Sequence, residues 1–426
     1  MNMQQAIKMT AAETALVDAY TAQIGDLPGD GSVLSVRDTL VHELRTAGLP
    51  TRRVESWHYT DLRTLLRAVP AADPTAFADR VDALVPGSTV FSVRNGQAEA
   101  KGSLPEGVTV RSYVDSLLDG SAAAGLAVLG FDDAIGRING GLVRGGLEIA
   151  VADDATLETP LEIQLVQSLG QAHTRFPVTF GANAKATVIE RHLSTKDAES
   201  FVSSVSDVTV GEGADIIWII LQQQGAGDTH LGQIRFDIGK NAKLHLFVIN
   251  AGGKLVRQEI HGKTSGEGAD FKLRGINLLG GETHTDVTFT LGHNVPHTTS
   301  TEIIRNVVFD RAKGVFQGKI LVAKDAQKTD AKMACNTLLL SDDADLSAKP
   351  ELEIFADDVQ CGHGATVADI DHTQLFYLMA RGVPENKARA MLVNAFVAEI
   401  VEELEDHEAL VEALEDVIST WLDKHA

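Results

Sequence analysis

Apolar residues recur at two different periods along this chain. Near the amino terminus they lie three or four residues apart, as at Leu16, Tyr20 and Ile24, which is typical of an amphipathic helix. The same spacing returns towards the carboxyl terminus, for example at Phe396 and Ile400. Between these regions apolar and polar residues alternate in short runs, which predicts β-strands. The pattern therefore predicts helical segments at both ends and a β-rich centre.

A four-residue motif of the form Gly-x-(Asn/Gly)-Ala recurs in the β-rich centre. It occupies residues 181–184, 211–214, 239–242 and 266–269, so that its alanines are 30, 28 and 27 residues apart. Glycine and asparagine adopt the left-handed backbone conformation of tight corners, and alanine fits where successive coils stack closely. A small-residue corner that leads into a strand at a nearly constant period predicts a stacked β-solenoid.

We interpret the chain as mainly β, with a parallel β-helix (solenoid) core flanked by helical domains. The expected limits are a helical or mixed amino-terminal domain over 1–135, the β-helix core over 136–370 and a carboxyl-terminal helical domain over 371–426. Weaker copies of the motif end at Ala155 and Ala344 and extend the repeat in both directions. A β-sandwich with recurrent hairpins is the alternative, ranked lower because several segments lack connections of hairpin length.

Composition narrows the class of protein. The formal net charge of −22 disfavours nucleic acid as a partner, since phosphate backbones are bound by lysine and arginine. Two cysteines in 426 residues cannot form a disulfide framework and favour a reducing compartment. Neither a signal peptide nor an apolar run of the roughly 18 residues needed to cross a bilayer is visible. We expect a cytoplasmic protein without a membrane partner.

Two cysteines and one histidine are candidates for metal or cluster chemistry. Cys361 and His363 lie two residues apart on a predicted strand, so their side chains face the same way and could bind iron. The alternative, favoured by these residues alone, is a buried cysteine beside a hydrogen-bonded histidine. Cys335 precedes His363 by 28 residues, close to one repeat, which places it on a neighbouring coil unless the spacing is coincidental.

A second candidate is a group of three histidines. His284, His293 and His297 lie within fourteen residues and could indicate a zinc or iron site. Their spacing matches no compact zinc finger. The alternative, which we favour, is that they are histidines on a face of the solenoid that are hydrogen-bonded to backbone groups.

Several catalytic signatures are missing from the sequence. It contains no Gly-x-x-x-x-Gly-Lys-Ser/Thr loop, no Gly-x-Ser-x-Gly elbow and no His-Glu-x-x-His pair. We therefore expect no catalytic residues and no nucleotide hydrolysis by this chain alone. Two thiols and one imidazole also fall short of a full cluster ligand set, so a partner would have to supply the remaining ligands.

Long motifs near both ends of the chain are more specific than any single candidate residue. They are Trp-His-Tyr-Thr-Asp-Leu at 57–62, Ala-Gln-Lys-Thr-Asp-Ala at 326–331, Leu-Leu-Leu-Ser at 338–341, the run from Lys-Pro-Glu-Leu to Cys-Gly-His-Gly-Ala-Thr at 349–366, Leu-Phe-Tyr-Leu at 375–378 and Arg-Gly at 381–382. Together they resemble the SufB/SufD family of the SUF machinery for iron–sulfur cluster assembly, and within it the SufD branch. The resemblance implies a β-helix between helical domains, in agreement with the repeat.

The resemblance also implies partners and roles. It implies a non-catalytic scaffold subunit that pairs with a SufB-like paralogue and docks a separate SufC-like ATPase, with a homodimer as an alternative for the isolated chain. His363, beside Cys361 and one rung from Cys335, would lie at the interface with the paralogue, where a cluster forms transiently. His363 would be a transient iron ligand, with no metal or cofactor tightly bound by this chain. The expected ATPase-binding residues are Leu375, Phe376, Tyr377, Arg381, Arg389 and Phe396.

Two other functions are compatible with parts of the pattern. One is a secreted-type β-helix enzyme acting on carbohydrate, against which the helical carboxyl terminus and the missing signal peptide count. The other is a SufB-type scaffold that carries the cluster itself. The segment from Cys335 to Leu339 resembles the cysteine-bearing segment of SufB more than the usual SufD segment.

Overall fold

A parallel β-solenoid of about eight turns forms the centre of the molecule, with helices at both termini, as the repeat predicts. The structure is a computed structural model that describes residues 8–73, 78–100, 103–195 and 199–425. From residue 145 onward, successive strands alternate between two facing sheets, so that each coil contributes one strand to each sheet. The predicted fold class is therefore confirmed.

The strands form one ten-stranded and one nine-stranded sheet. In chain order they are β1 Thr89–Arg94, β2 Gln97–Ala100, β3 Val108–Ser112, β4 Gly145–Val151, β5 Leu161–Gln167, β6 Gly170–Phe180, β7 Lys185–Ser194, β8 Ser200–Val210, β9 Asp215–Gln223, β10 Thr229–Ile238, β11 Lys243–Asn250, β12 Leu255–Thr264, β13 Asp270–Leu279, β14 His284–His293, β15 Thr299–Val308, β16 Lys313–Val322, β17 Asp330–Leu339, β18 Asp345–Ile354 and β19 Gln360–Ala368. Sheet A has the order β19-β17-β15-β13-β11-β9-β7-β5-β1-β2, and sheet B the order β18-β16-β14-β12-β10-β8-β6-β4-β3. Neighbouring strands are parallel except in the pairs β1–β2 and β3–β4.

Helices cover the outer faces of both sheets. They are α1 Ala11–Gln23, α2 Gly31–Ala47, α3 Leu62–Leu65, α4 Tyr113–Leu118, α5 Ala134–Leu142, α6 His372–Ala380, α7 Glu385–Glu402 and α8 Glu408–His425, with short 3-10 helices at Glu55–Trp57 and Ala124–Leu126. The amino-terminal helices α1, α2 and α5 share a buried apolar cluster with β8, β10 and β12 of sheet B. The carboxyl-terminal helices α6, α7 and α8 share another with the outer face of sheet A. In the part of the chain that is described, no helix is long and apolar enough to span a membrane.

The recurring motif forms one series of corners, at which the chain passes from sheet B to sheet A. Asn183, Gly213, Asn241 and Gly268 have φ values of 55°, 70°, 53° and 76°, the left-handed conformation that these residues tolerate best. The alanines that follow them are fully buried in the solenoid interior. The weaker copy ending at Ala344 belongs to the opposite series of corners, between β17 and β18, and so does not continue this one.

Replacing Ala242 by Leu should destabilise the solenoid. Ala242 has an exposed fraction of 0% and packs in the interior, so the larger side chain would overpack the stack. We expect a loss of about 1–3 kcal/mol in the free energy of unfolding, measured by chemical denaturation. Lys240→Leu is the control, because Lys240 lies exposed on the same corner. Equal stability of the two variants would contradict the inward placement of Ala242.

Ion pairs hold the carboxyl-terminal helices on sheet A. Arg274 on β13 pairs with Glu403, just beyond the end of α7, and Arg305 on β15 pairs with Glu399 of the same helix. The Arg305 guanidinium also lies 4.9 Å from the centre of the Phe396 ring. The segment 399–416 is rich in Asp and Glu and contains no Lys or Arg. Its start meets arginines of the solenoid, and these contacts fix α7 across the sheet.

Candidate functional site at the open end of the solenoid

The solenoid ends at β18 and β19 with its interior uncovered. These two strands are the terminal strands of their sheets. Most of β19 is exposed, and no residue of β18 is fully buried. Large apolar side chains remain in contact with solvent here, with exposed fractions of 39% for Ile354, 62% for Phe355 and 53% for Val367. Because solenoids normally need a polar cap at each end, this end presents a surface that a further element could cover.

Cys361 and His363 lie on the inner face of this last coil. In the register of β17 and β19, Cys361 stands beside Ala331 and His363 beside Met333. Ala331 and Met333 are buried in the solenoid interior. Cys361 and His363 therefore also lie on the inner face of the sheet, on the next and last strand. Cys361 is half-buried against the core, and His363 is exposed. The structure thus places the predicted thiol and imidazole on one face, at the open end.

Cys335 lies on the neighbouring rung but not directly beside His363. It pairs with Ala365, two residues further along β19. Its exposed fraction is 1%, and its Sγ accepts a hydrogen bond of 3.3 Å from Nδ2 of Asn306. Burial raises the pKa of the Cys335 thiol to about 11, so this group is protonated and unreactive at neutral pH.

The Cys361 thiol is also held in its protonated form. Burial is the largest cause that raises its pKa, and the carboxyl groups of Asp330 and Glu302 raise it further, although a backbone hydrogen bond at Ala331 opposes them. A thiolate at this position would therefore need a cation beside it.

Inside the solenoid, a row of hydrogen-bonded asparagines on successive coils ends at Cys335. The amide of Asn250 donates to Asn277, and that of Asn277 donates to Asn306, each at 2.7 Å. Asn306 then donates to Cys335, and these residues are separated by 27, 29 and 29 positions. Sequence analysis missed this row, although asparagines and a cysteine spaced at the repeat length were a signal for it.

The three histidines at 284–297 do not form a metal site. Nδ1 and Nε2 of His293 bond to the hydroxyls of Thr298 and Ser300 at 2.7 and 3.1 Å, and Nε2 of His284 bonds to that of Thr60 at 2.9 Å. Over the described ranges, no three side chains of His, Cys, Asp or Glu lie close enough to hold a metal ion. The expected backbone partners are wrong for His284 and His293, whose rings bond to side-chain hydroxyls, and the His297 ring lies 3.9 Å from the Glu267 carboxylate.

The aromatic segment at 57–62 anchors the amino-terminal region to sheet B. Trp57 is fully buried, and its Nε1 donates to the carbonyl of Asp132 at 2.9 Å. The guanidinium of Arg257 on β12 lies 3.7 Å from the Trp57 ring centre and donates to the carbonyl of Ser56 at 2.7 Å. Thr60 reaches the same sheet by donating to Asp286 of β14. This segment therefore spans neighbouring coils.

Arg257 is the centre of that anchor. It is fully buried and forms ion pairs with Glu259 at 2.8 Å and with Asp286 at 2.5 Å. Burial alone would raise the pKa of the Glu259 carboxyl, but the charges of Arg257 and His261 lower it to about 2. The carboxylate is therefore ionised at neutral pH, and the anchor depends on the arginine that neutralises it.

The six residues predicted to bind an ATPase lie in two different environments. Leu375 is buried, and Phe396 is half-buried beneath Arg305, so both contribute to packing of the helices on sheet A. Phe376 and Tyr377 have exposed fractions of 72% and 57%. Arg381, just after α6, is exposed and lies 5.0 Å from the Tyr377 ring centre. Arg389 of α7 is half-buried and pairs with Glu385 at 3.3 Å.

The chain is similar in sequence to known proteins of iron–sulfur cluster assembly. The family model described as "SUF system FeS cluster assembly, SufBD core domain" matches residues 164–396. The chain is 30% identical over 385 residues to the iron-sulfur cluster assembly protein SufD of Escherichia coli, covering 86% of this chain and 88% of that protein. It is 31% identical over 238 residues to an iron-sulfur cluster assembly SufBD family protein of Synechocystis, covering 54% and 52%. With SufD of Bacillus subtilis it shares 26% identity over 273 residues, covering 63% and 62%.

Proposed function

The chain belongs to the SufBD family of SUF-system iron–sulfur cluster assembly proteins, and we propose that it acts there as a non-catalytic scaffold subunit. The observation that carries this proposal is the open end of the solenoid, where Cys361 and His363 lie on an uncovered inner face. A thiol and an imidazole are iron ligands, but two such groups are too few to hold a cluster. The scaffold therefore needs a partner at this end.

The partner that fits this end is a SufB-type paralogue. The outer edges of β18 and β19 present backbone N–H and C=O groups that the strands of another chain can pair with. A partner solenoid of the same family would continue the stack and cover the exposed apolar residues. We place a transient cluster, as the product under assembly, in this interface, with His363 as an iron ligand and no cofactor held permanently by the chain.

Cys335 has a supporting place in this proposal. Because it is buried, protonated and hydrogen-bonded to Asn306, it is not available as a cluster ligand in this conformation. This favours the scaffold function over the alternative of a SufB-type chain that carries the cluster by itself.

The exposed face of α6 and α7 is the proposed dock for a SufC-type ATPase. Phe376 and Tyr377 are large aromatic side chains in solvent, and Met379 and Met391 have exposed fractions of 41% and 46%. Arg381 adjoins Tyr377. Aromatic residues, methionine and arginine are the types enriched at protein interfaces. The ATPase would supply the nucleotide hydrolysis for which this chain has no motif.

Replacing Phe376 by Ser together with Tyr377 by Ala should prevent capture of the ATPase. Point substitutions are preferable to deletion of α6, α7 and α8, since deletion would expose the apolar outer face of sheet A. We expect the affinity for a purified SufC-type ATPase, measured by calorimetry, to fall at least about 30-fold, as for loss of an interface hot spot. Phe131→Ser is the control, because Phe131 is 86% exposed near the amino-terminal helices. Unchanged affinity in the double variant would place the dock elsewhere.

A further inference from the structure

The two strand edges at the open end of the solenoid are not equivalent. β18 and β19 are the terminal strands of sheets B and A, so each can bond to a further strand on its outer side only. The backbone groups of alternate residues point to opposite sides of a strand, and the bonds to the inner neighbour therefore show which residues face outward. The chemistry of those outward residues decides which edge a partner chain can use.

Pro350 interrupts the outer edge of β18. The backbone N–H groups of Asp345, at the start of the strand, and of Phe355, just after its end, donate to the carbonyls of Ala312 and Val322 at 3.1 and 2.9 Å. Odd-numbered residues of β18 therefore bond inward to β16, and the even-numbered ones, Pro350 among them, face outward. Because proline has no N–H group, a strand laid along this edge would leave one of its carbonyls without a donor halfway along β18.

β19 has an uninterrupted outer edge. The N–H of Gln360 donates to the carbonyl of Thr329 at 2.9 Å, so even-numbered residues bond inward to β17 and odd-numbered ones face outward. The outward residues, each with an N–H group, are Cys361, His363, Ala365 and Val367. A partner strand can therefore bond along the whole of β19.

The side chains beside the two edges differ in the same sense. Lys349, Glu351 and Glu353 lie on the outer face of β18, and charges of this kind are typical of strand edges that are protected from pairing. β19 contains no proline and no Asp, Glu, Lys or Arg. A Cβ at Gly362 or Gly364 would meet no atom of the described chain within 4 Å. Another chain can therefore approach β19 closely.

We propose that β19 is the strand along which the paralogue joins this chain, and that Pro350 limits pairing on β18 to the half on its carboxyl side. The element that fits is an extended strand with an unpaired backbone edge. The carboxyl half of β18 leads to Ile354 and Phe355, whose exposed apolar side chains the partner would cover. It also leads into the corner before Cys361, so pairing is concentrated around Cys361 and His363. The identity of the partner rests on the proposed function.

Two alanine-to-proline substitutions test the difference between the edges. Ala365→Pro removes an outward N–H group from β19, and Ala348→Pro removes one from the amino half of β18, in both cases without loss of a bond to the inner neighbour. We expect the affinity for a purified SufB-type paralogue, measured by calorimetry, to fall at least about tenfold for Ala365→Pro, since a partner carbonyl loses its donor. Ala348→Pro, the matched control, should change it less than about twofold. Unchanged melting temperatures would show that both variants are folded.

Hydrogen exchange of the unmodified complex at residue resolution gives a second readout, which does not depend on the folding of a variant. The amides of His363 and Ala365 should exchange at least about 100-fold more slowly than in the isolated chain, because they become bonded to the partner. Those of Leu346 and Ala348, on the amino side of Pro350, should slow less than about twofold.

The possible failures of this inference and of the proposed function are distinguishable. Equal slowing of Leu346 and His363, or an equal effect of the two proline substitutions on affinity, would overturn the inference. The proposed function would stand in that case, because the complex with the paralogue would still form. If the unmodified chain forms no complex with the paralogue, both the inference and the proposed function are wrong.

Discussion

Replacing His363 by Ala should sharply reduce the formation of iron–sulfur clusters in cells while leaving the protein folded. The imidazole is exposed at the open end and, in the described part of the chain, has no hydrogen-bond or ion-pair partner. Its removal should therefore change the free energy of unfolding by no more than about 0.5 kcal/mol. If it is an iron ligand, its loss should lower the activity of cluster-dependent enzymes at least about tenfold.

The matched control for His363 is His297→Ala. His297 is also an exposed histidine but lies at a solenoid corner, so its loss should leave enzyme maturation unchanged. Cys335→Ala should have a smaller effect than His363→Ala, because the thiol is buried and protonated. Maturation at the normal rate in the His363 variant, or a loss that follows a fall in melting temperature, would contradict the proposed site.

Replacing Arg257 by Ala should produce a large loss of stability. The substitution leaves Glu259 and Asp286 buried without their cation and removes the contact with the Trp57 ring. Breaking a buried ion pair by removal of one partner typically costs about 3–5 kcal/mol. We expect a loss of that size in the free energy of unfolding, measured with urea, together with release of the amino-terminal segment from sheet B in hydrogen exchange.

Arg311→Ala provides the comparison for Arg257. Arg311 pairs with Glu282 in solvent, and exposed pairs contribute only about 0–1 kcal/mol. A loss below about 1 kcal/mol for Arg257→Ala, equal to that of the control, would show that the buried network does not hold the amino-terminal region in place.

The solenoid could be predicted because its early corners use residues with specific backbone requirements. Asn183, Gly213 and their equivalents share a conformation that glycine and asparagine adopt most easily, so the sequence carries the period. The later corners of the same series are built differently. His297 and Lys328 occupy the left-handed position there, and the motif is absent. The last coils were therefore recognisable by resemblance to a family and not by their repeat.

Only part of the candidate site could be predicted, because the strand register determines which side chains lie next to each other on neighbouring strands. Alternation alone places Cys361 and His363 on one face of a strand. The proximity of Glu302 and Met333 to them depends on how β15, β17 and β19 align, and sequence spacing did not fix that alignment. The carboxyl-terminal helices were predicted, but their packing on the outer face of sheet A was not. The run at 216–221 was a signal for it, because it is apolar on both faces of its strand, which is typical of a sheet covered on both sides.

The central claim is that the open end of this solenoid pairs with a SufB-type paralogue around the cluster-assembly site. The most direct measurement is hydrogen exchange of the chain alone and after co-expression and purification with such a paralogue. We expect strong protection of β18 and β19 in the complex, where the backbone edges become paired, and little change in the interior strands β9 to β13. A stable complex in which β18 and β19 exchange as fast as in the isolated chain would contradict the claim.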